Sequence, residues 1–347
     1  MTKRAAIILA GGKAQRFQTD QEKWQDKALA NLNGKPLLVH AIENIQEIVD
    51  EIVIVANEEA RRSHYQDILA SYQIENARIV TDLKIDQLSG PIIAILTGLT
   101  FAKADYCLTI PADMPMLNGK VADYLFNEIK ETSVAVPMWP NGSLETLLMV
   151  LERPKTLKIT NVLCQLGRSR PGDIIRGALN FLLVSPMGEI KILDPELKSF
   201  VNINSQEDLS RLQPRHGQGR LVDNIRLNLG NTPLEQLELL LRACFERNNF
   251  DFLEATKIFS SCADDLEKEN SSFWAAVSRE YEAKSVLSSS RQNSKTELIK
   301  DARSSFLKAA RNYGLEAITY EKNRCYLLAE RAKADKFWCE SQLKFDN

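Results

Sequence analysis

The chain has 347 residues and a mass of 39.2 kDa, a length typical of two domains. Hydrophobic residues make up 44% and charged residues 26%, which excludes a disordered, collagen-like or membrane-embedded chain. Lysine and arginine total 44 against 46 acidic residues, so the net charge of −2 provides neither a basic tract for nucleic acid nor an acidic tail. Six scattered cysteines without a CxxC pair disfavour a zinc site or a disulfide scaffold. The N-terminal apolar run is too short for a signal peptide and no stretch is long enough for a membrane span, so we expect a cytoplasmic protein.

Short apolar runs rich in isoleucine and valine alternate with helical patterns in the first part of the chain. This alternation is typical of strands that crossover helices join into a largely parallel sheet. The predicted strands are residues 5–9, 51–55, 105–110, 134–137, 147–151 and 198–203. The predicted helices between the first of these strands are residues 36–48 and 57–71. Residues 1–214 are therefore predicted to form an α/β domain with a Rossmann-like, mostly parallel sheet.

Helix-breaking residues are concentrated in the first 233 residues of the chain. All 12 prolines and all but one of the 15 glycines lie before residue 234. Because both residue types are costly inside helices, residues 232–347 are predicted to form an all-α domain. Its weak likeness to tetratricopeptide (TPR) hairpins lacks a strict repeat period. The three glycines of residues 215–231 predict a linker before it.

A glycine-containing segment, LAGGKAQRF, directly follows the first predicted strand at residues 9–17. The adjacent Gly11 and Gly12 allow the backbone to approach a phosphate closely, and Arg16 suits a polyphosphate. The spacing matches neither GxGxxG nor GxxxxGK[ST], which disfavours a dinucleotide fingerprint and a P-loop. Taken alone, the segment is equally consistent with a tight turn that binds nothing.

Together with the DKALANLNGKPLL segment after it, this loop resembles the N-terminal signature of the nucleotidyltransferases that include molybdenum cofactor guanylyltransferase. Further segments match that group in order: Gly90-Pro91 with IIAILTGL after it, PADMP at 111–115 and VNINSQEDL at 201–209. The resemblance covers residues 1 to about 213. It implies transfer of a nucleoside monophosphate, GMP, from Mg-NTP to the phosphate of a molybdopterin-type acceptor, with release of pyrophosphate. The implied ligands are GTP and that acceptor, the implied cofactor is Mg²⁺, and neither nucleic acid nor a membrane is expected.

The resemblance also implies roles for single residues. Asp113 matches the metal ligand, and a carboxylate at a strand end suits Mg²⁺, a hard ion that prefers oxygen. Lys27 matches the lysine that contacts the nucleotide phosphates, where a compact ammonium neutralises charge. Both are therefore candidate catalytic residues. The candidates for nucleotide binding are Leu9, Ala10, Gly11, Gly12, Arg16, Lys27, Asp82, Asn202 and Asn204.

Each of these residues also has a structural interpretation. Asp113 is placed to cap a turn before a proline, Asp82 to cap a helix, and Lys27 to be a solvated surface lysine. Asn202 and Asn204 lie two apart on a predicted strand, so their side chains are expected on the same side. They suit a shared ligand and, equally, a hydrogen-bonded strand end that leads into a predicted helix at 205–212.

Three departures from the group's pattern leave other functions open. The loop after Phe17 is longer and lacks a glycine, Val55 stands where some relatives carry an asparagine facing the base, and Glu145 lacks a following proline. The alternatives are a nucleotidyltransferase for CTP or another phosphorylated acceptor, and a degenerate nucleotide-binding protein with a helical interaction domain.

Two further sets of residues remain unassigned by the motifs. Arg168, Arg170 and Arg176 lie in a segment rich in glycine and proline, where they are expected either to contact an anionic acceptor or to be exposed. In the helical domain, aromatic residues at helical spacing are predicted to be core rather than a binding surface: Phe273, Trp274, Phe306, Tyr313, Phe337 and Trp338. We expect this domain to interact with a protein, either a molybdoenzyme or a second copy of the chain.

Overall fold

A computed structural model of the chain describes residues 2–11, 26–85, 88–205, 207–208, 223–293 and 298–343. The chain divides into two units. An α/β unit comprises Met1–Thr160, Ser169–Pro171 and Asn180–Leu227. A helical unit comprises Asn161–Arg168, Gly172–Leu179 and Asn228–Asn347. Two stretches that precede the predicted linker thus belong to the helical unit, and the domain boundary at residues 215–231 stays a prediction. None of the described helices is both long enough and apolar enough to cross a bilayer.

An eight-stranded sheet in the order β10-β9-β7-β8-β6-β1-β4-β5 forms the centre of the α/β unit. Its strands are β1 (Arg4–Leu9), β4 (Glu51–Ala56), β5 (Ala77–Thr81), β6 (Tyr106–Pro111), β7 (Val134–Pro137), β8 (Met149–Glu152), β9 (Asn180–Val184) and β10 (Ile225–Asn228). β2 (Asn31–Leu32) and β3 (Lys35–Pro36) form a separate antiparallel pair. β5, β4, β1 and β6 are parallel, β8 is antiparallel to both β6 and β7, and β9 is parallel to β7. The predicted α/β fold with a mostly parallel sheet is therefore confirmed.

Crossover helices bury apolar side chains against this sheet, as expected where strands run parallel. The helices up to residue 193 are α1 (Leu37–Glu43), α2 (Glu59–Ser71), α3 (Pro91–Phe101), α4 (Gly119–Glu128), α5 (Arg153–Gln165), α6 (Gly172–Ala178) and α7 (Glu189–Leu193). α3 begins after Gly90, whose φ of +112° favours glycine, and Pro91 occupies the first turn, where a missing N–H costs nothing. α3 also approaches β1 very closely, since a Cβ built on Gly98 would lie 2.2 Å from Ile7.

Most strands lie where the sequence predicts them, but the prediction of a strand at 198–203 is wrong. Lys198–Phe200 is a short 3₁₀ helix, preceded by Leu197 in the left-handed region with a φ of +53°. Residues 201–204 are irregular. Their alternating burial nevertheless resembles that of a strand, because Val201 and Ile203 enter a small apolar cluster with Leu32 and Leu37. Of the predicted helix at 205–212, residues 207–208 are helical, and residues 206 and 209–212 lie outside the described residues.

Within the described residues, five consecutive helices form most of the second unit, which confirms the predicted all-α region. They are α8 (Leu234–Asn248), α9 (Phe252–Lys268), α10 (Ser272–Asn293), α11 (Leu298–Lys322) and α12 (Tyr326–Ser341), and each packs along the next. Of the six aromatic residues predicted to be core, four are buried: Phe273, Trp274, Phe306 and Tyr313. The prediction is wrong for Phe337 and Trp338, which are exposed. Likeness to tetratricopeptide hairpins stays a prediction.

The helical unit also buries a network of opposite charges. The Arg176 guanidinium donates to both Glu316 carboxylate oxygens at 2.7 Å, and Arg168 donates to Asp335 at 2.9 Å. Asp173 accepts from both arginines, at 2.9 and 2.8 Å. Both arginines are therefore neither exposed nor available to an anionic acceptor, contrary to the sequence-based expectation. Among the three arginines of that segment, Arg170 is the exposed one.

Candidate active site

Four parallel strands end at one edge of the sheet, where their backbones continue the ladder beyond the strands. Ala10 N–H donates to the Val55 carbonyl at 2.9 Å, and Ala112 N–H donates to the Leu9 carbonyl at 3.1 Å. At the neighbouring strand, the Asp82 N–H donates to the Ala56 carbonyl at 2.9 Å. These bonds hold the residues after β1, β4, β5 and β6 at the edge where open parallel sheets bind ligands.

Lys27 and Asp113, both predicted from sequence as catalytic residues, are in direct contact at this edge. The Lys27 ammonium donates to Asp113 Oδ2 and, at 2.7 Å, to Asn204 Oδ1. Lys27 is 15% exposed and Asp113 21% exposed, so the charges are largely withdrawn from water. The backbone fixes the same arrangement, because Ile203 N–H donates to the Asp113 carbonyl at 2.9 Å. Residues separated by up to 177 positions thus form one polar group.

The turn that carries Lys27 is anchored by α2. Asp26 begins this turn, and its Oδ1 accepts from the Ala28 N–H at 3.1 Å. The Tyr65 hydroxyl lies 2.8 Å from Asp26 Oδ2 and 2.9 Å from the Ala10 carbonyl, and its proton is available to either. Arg61 donates to the same Ala10 carbonyl at 3.2 Å and lies 3.5 Å from Asp26 Oδ2. One helix therefore holds the end of β1 and the Lys27 turn together.

Both anchoring side chains are buried, so these contacts are well protected from water. Tyr65 is 0% exposed and Arg61 3% exposed. Burial, reinforced by the nearby Asp26 carboxylate, raises the pKa of the Tyr65 phenol far above its usual 10.0. The phenol therefore remains a neutral donor at every physiological pH. Arg61 and Tyr65 were missed in the sequence analysis, and their only signal is a spacing of four on a predicted helix after a strand.

Three buried oxygen atoms at this edge have no hydrogen-bond partner within the described ranges. They are Asn57 Oδ1, Asp82 Oδ1 and Asp113 Oδ1. A buried acceptor left without a donor costs about 1–3 kcal/mol, so a group of them is unusual in a folded protein. Burial also raises the pKa of Asp82 to about 6. The edge is therefore rich in acceptors that suit a cation or the N–H groups of a ligand.

The glycine at the end of β1 brings its backbone against one of these acceptors. A Cβ built on Gly11 would lie 3.1 Å from Asn57 Cβ, tighter than most side-chain contacts. Asn57 was also missed from the sequence, although it follows the strand in which Val55 was considered. Val55 itself is fully buried in β4.

The other candidate residues divide into those at the edge and those outside the described ranges. Leu9 and Ala10 end β1, and Asp82 follows β5. The structure brings Asn204 to Lys27, whereas Asn202 is half-buried in the irregular segment. The strand on which both asparagines were predicted is absent from that segment, so a shared strand face does not explain their orientation. Gly12 and Arg16 lie outside the described residues.

A metal ion at this edge would need ligands beyond the protein side chains that the structure describes. In those ranges, no group of three or more histidine, cysteine, aspartate or glutamate side chains could hold a metal ion. Magnesium in phosphate-transfer sites is commonly bound by one or two carboxylates together with substrate phosphates. Asp113 has one oxygen on Lys27 and one oxygen for which the described residues supply no donor, and this arrangement fits that mode.

Comparisons with known proteins point to the same part of the chain. The profile of the MobA-like NTP transferase domain matches residues 6–176. A probable molybdenum cofactor guanylyltransferase of Pyrococcus horikoshii is 32% identical over 209 residues, which is 59% of this chain and 96% of that protein. One of Methanosarcina acetivorans is 28% identical over 210 residues, 60% of this chain and 89% of that protein. The crystal structure of molybdopterin-guanine dinucleotide biosynthesis protein A from Archaeoglobus fulgidus superposes with a TM-score of 0.48 at 22% identity, covering 60% and 96% of the two chains.

Proposed function

Because the chain belongs to the MobA-like NTP transferase family, and is a nucleotidyltransferase, we propose that it transfers GMP from GTP to the phosphate of molybdopterin. The contact of Lys27 with Asp113 and Asn204, at the edge that also carries Gly11, is the single observation that carries this proposal. The contact supports the proposal because an ammonium suits a phosphate and a carboxylate suits a divalent cation, and both lie at the edge that carries this strand-end turn.

The reaction is a substitution at the α-phosphorus of the nucleotide. An oxygen of the acceptor phosphate forms a bond to that phosphorus, and the bond to the oxygen bridging the α- and β-phosphates breaks in line. Pyrophosphate leaves with the electron pair of the broken bond. In this reaction the protein mainly positions the two substrates and stabilises the charge that shifts between oxygens.

Lys27 supplies that stabilisation. Its ammonium has three N–H donors, of which two are directed at Asp113 and Asn204. The third is available to a phosphate oxygen, and the surrounding burial strengthens the interaction. A divalent cation, Mg²⁺ in this proposal, would be held by Asp113 and would neutralise phosphate charge when bound. Asn204 keeps Lys27 oriented while Asp113 exchanges partners.

The acceptor-rich edge supports guanine as the base. Asn57 and Asp82 directly follow Ala56 and Thr81, which are paired in the register of β4 and β5, so the two side chains are neighbours. Each presents a buried oxygen without a donor in the part of the chain that is described. Guanine offers two adjacent N–H donor groups on its Watson–Crick edge, whereas cytosine offers one. Two neighbouring acceptors therefore favour GTP over CTP.

Binding and turnover assays with four nucleotides test this proposal. We expect GTP with Mg²⁺ to raise the melting temperature more than CTP, ATP or UTP does, and to support pyrophosphate release when molybdopterin is added. Asp113→Ala should abolish Mg²⁺-dependent release, whereas Asp67→Ala, an exposed aspartate on α2, should leave it unchanged. Selection of CTP would refute the base assignment, and turnover by Asp113→Ala would remove Asp113 from the metal role. No shift with any nucleotide would favour a degenerate binding protein.

A further inference from the structure

The last described helix, α12, exposes an unusual row of residues. Tyr326, Glu330, Lys333 and Phe337 are spaced by four, three and four, which places them along one narrow stripe of a helix with 3.6 residues per turn. The two aromatic residues are 58% and 68% exposed. The Glu330 and Lys333 side chains between them are 65% and 47% exposed. The stripe therefore has an apolar residue at each end and a pair of opposite charges in the middle.

The opposite side of α12 is already used for packing. Leu328, Ala332 and Cys339 are buried there, and Asp335 joins the buried ion network. α12 packs along α11 and ends the described series of helices. End helices in stacked helical arrays normally present a polar outer face, because an apolar one attracts other proteins. The outer side of α12 departs from that pattern, and two further exposed apolar residues, Leu327 and Trp338, flank the stripe.

Spacings of four, three and four are those of the seam between two helices in a coiled coil. If two α12 helices pack antiparallel about a two-fold axis between positions 331 and 332, Tyr326 faces Phe337 of the partner subunit. In the same register, Glu330 faces Lys333 of the partner subunit. The symmetry repeats both contacts, so every layer is either apolar or oppositely charged. In a parallel pair, by contrast, each charged residue would face its own copy and be repelled.

We propose that a second copy of this chain docks on this stripe, with α12 antiparallel to α12. Self-complementarity in both charge and apolarity is the property that a two-fold interface requires, and an unrelated partner would not need it. Within the chain, Lys333 also lies 2.7 Å from Glu321 and from Glu330. These two contacts use two of the three N–H donors of its ammonium, and in the proposed dimer the third would donate to Glu330 of the second copy. The stripe is only about 16 Å long, from 11 rises of 1.5 Å between its first and last residues, so the dimer is weak and concentration-dependent.

Sedimentation equilibrium of the full chain over a concentration series tests this proposal. We expect a reversible monomer–dimer equilibrium that Phe337→Glu weakens by about tenfold or more, because each dimer loses two aromatic anchors. Leu307→Glu is the matched control, since Leu307 is 54% exposed on the neighbouring helix α11 and lies outside the stripe. It should leave the equilibrium unchanged. A wild-type chain that stays monomeric, or a dimer that survives Phe337→Glu, overturns the proposal.

Charge reversal tests the antiparallel register. Glu330→Lys alone and Lys333→Glu alone each place like charges opposite one another twice per dimer, and each should weaken dimerisation about threefold or more at low salt. The double variant Glu330→Lys/Lys333→Glu restores opposite charges in every layer and should recover most of the wild-type affinity. Circular dichroism checks that all variants are folded. Failure of the double variant to recover affinity, with its helices intact, overturns the antiparallel register.

Discussion

Tyr65 anchors the Lys27 turn through its hydroxyl group, and a substitution that removes this one oxygen atom tests the anchor. Tyr65→Phe removes only the hydroxyl, which lies 2.8 Å from the Asp26 carboxylate and 2.9 Å from the Ala10 carbonyl. The phenyl ring that remains fills the same fully buried space. The substitution therefore leaves packing intact and deletes one donor between α2 and the site.

The magnitude follows from what the hydroxyl contacts. A hydrogen bond to a charged group contributes about 1.5–3 kcal/mol, and the buried oxygens left behind keep Arg61 as their neighbour. We therefore expect the unfolding free energy to fall by about 2 kcal/mol. A Lys27 turn that is less firmly held places the ammonium less accurately, and a displacement of about 1 Å can cost up to about 100-fold in rate. We expect kcat to fall at least about tenfold, with a smaller change in KM.

Denaturant unfolding and initial rates of pyrophosphate release measure the two effects separately. Tyr72→Phe is the matched control, because Tyr72 is a half-buried tyrosine at the end of the same helix. It should alter neither quantity appreciably. If Tyr65→Phe lost stability but kept the wild-type kcat, the hydroxyl would support the fold without positioning Lys27, and the reasoning would be refuted.

Three further predictions address burial and charge. Burial raises the pKa of the Asp82 carboxyl from 3.8 to about 6, so the folded protein binds this proton more tightly than the unfolded chain does. The stability that the bound proton provides is lost as the pH rises through about 6. Asp82→Asn should remove this pH dependence, which urea unfolding at pH 5 and pH 7 measures. Arg176→Leu leaves the buried Glu316 carboxylate without its guanidinium partner and should cost about 3–5 kcal/mol in unfolding free energy, whereas Lys268→Ala, in an exposed ion pair, should change little. Gly98→Ala, with its new Cβ 2.2 Å from a β1 side chain, should cost about 1–3 kcal/mol by thermal unfolding. Gly314→Ala, whose nearest contact is at 3.6 Å, should be neutral or stabilising by up to about 1 kcal/mol.

Each of these has a contrary outcome. Equal pH dependence in wild type and Asp82→Asn would show that the Asp82 carboxyl is better solvated than its position indicates. A stable Arg176→Leu variant would mean that its carboxylate partners are neutralised at little cost. Equal effects of the two glycine substitutions would show that α3 can move away from β1 without loss.

The sequence identified the strand ends because their signals are local. Isoleucine- and valine-rich runs bounded by polar residues predict strands, and the polar residue after each run falls at the edge where parallel strands end. Asp113 follows such a run, but the candidate roles of Asp82 and Asp113 came from the resemblance to the nucleotidyltransferases and not from this local signal. Asn57 has the same local signal, yet it is not among the predicted binding residues, because the resemblance puts the base-facing position at Val55.

Other contacts have no local signal. Arg176 lies in a segment of glycine and proline that favours a loop, yet it pairs with Glu316, 140 residues away. Its burial depends on carboxylates from helices that are themselves predictable, but whose faces meet only in the folded unit. The alternating burial at Val201 and Ile203 predicted a strand that does not form, for a related reason. Any extended segment that lies on an apolar cluster buries every second residue, whether or not its backbone pairs with another strand.

Under the proposed function, the contact between Lys27 and Asp113 explains how a site for an anion and a cation can exist before either binds. An unpaired ammonium or carboxylate at this depth would carry a large desolvation cost, which the contact offsets. A nucleotide triphosphate and a divalent cation bring the opposite charge for each partner, so Lys27 can turn to phosphate while Asp113 turns to the metal ion. Neither side chain is then left uncompensated, provided that both ligands arrive together. Asn204 and the contact between Asp26 and Tyr65 keep Lys27 in place during this exchange. The free energy of folding therefore orders the site in advance, and ligand binding does not have to supply it.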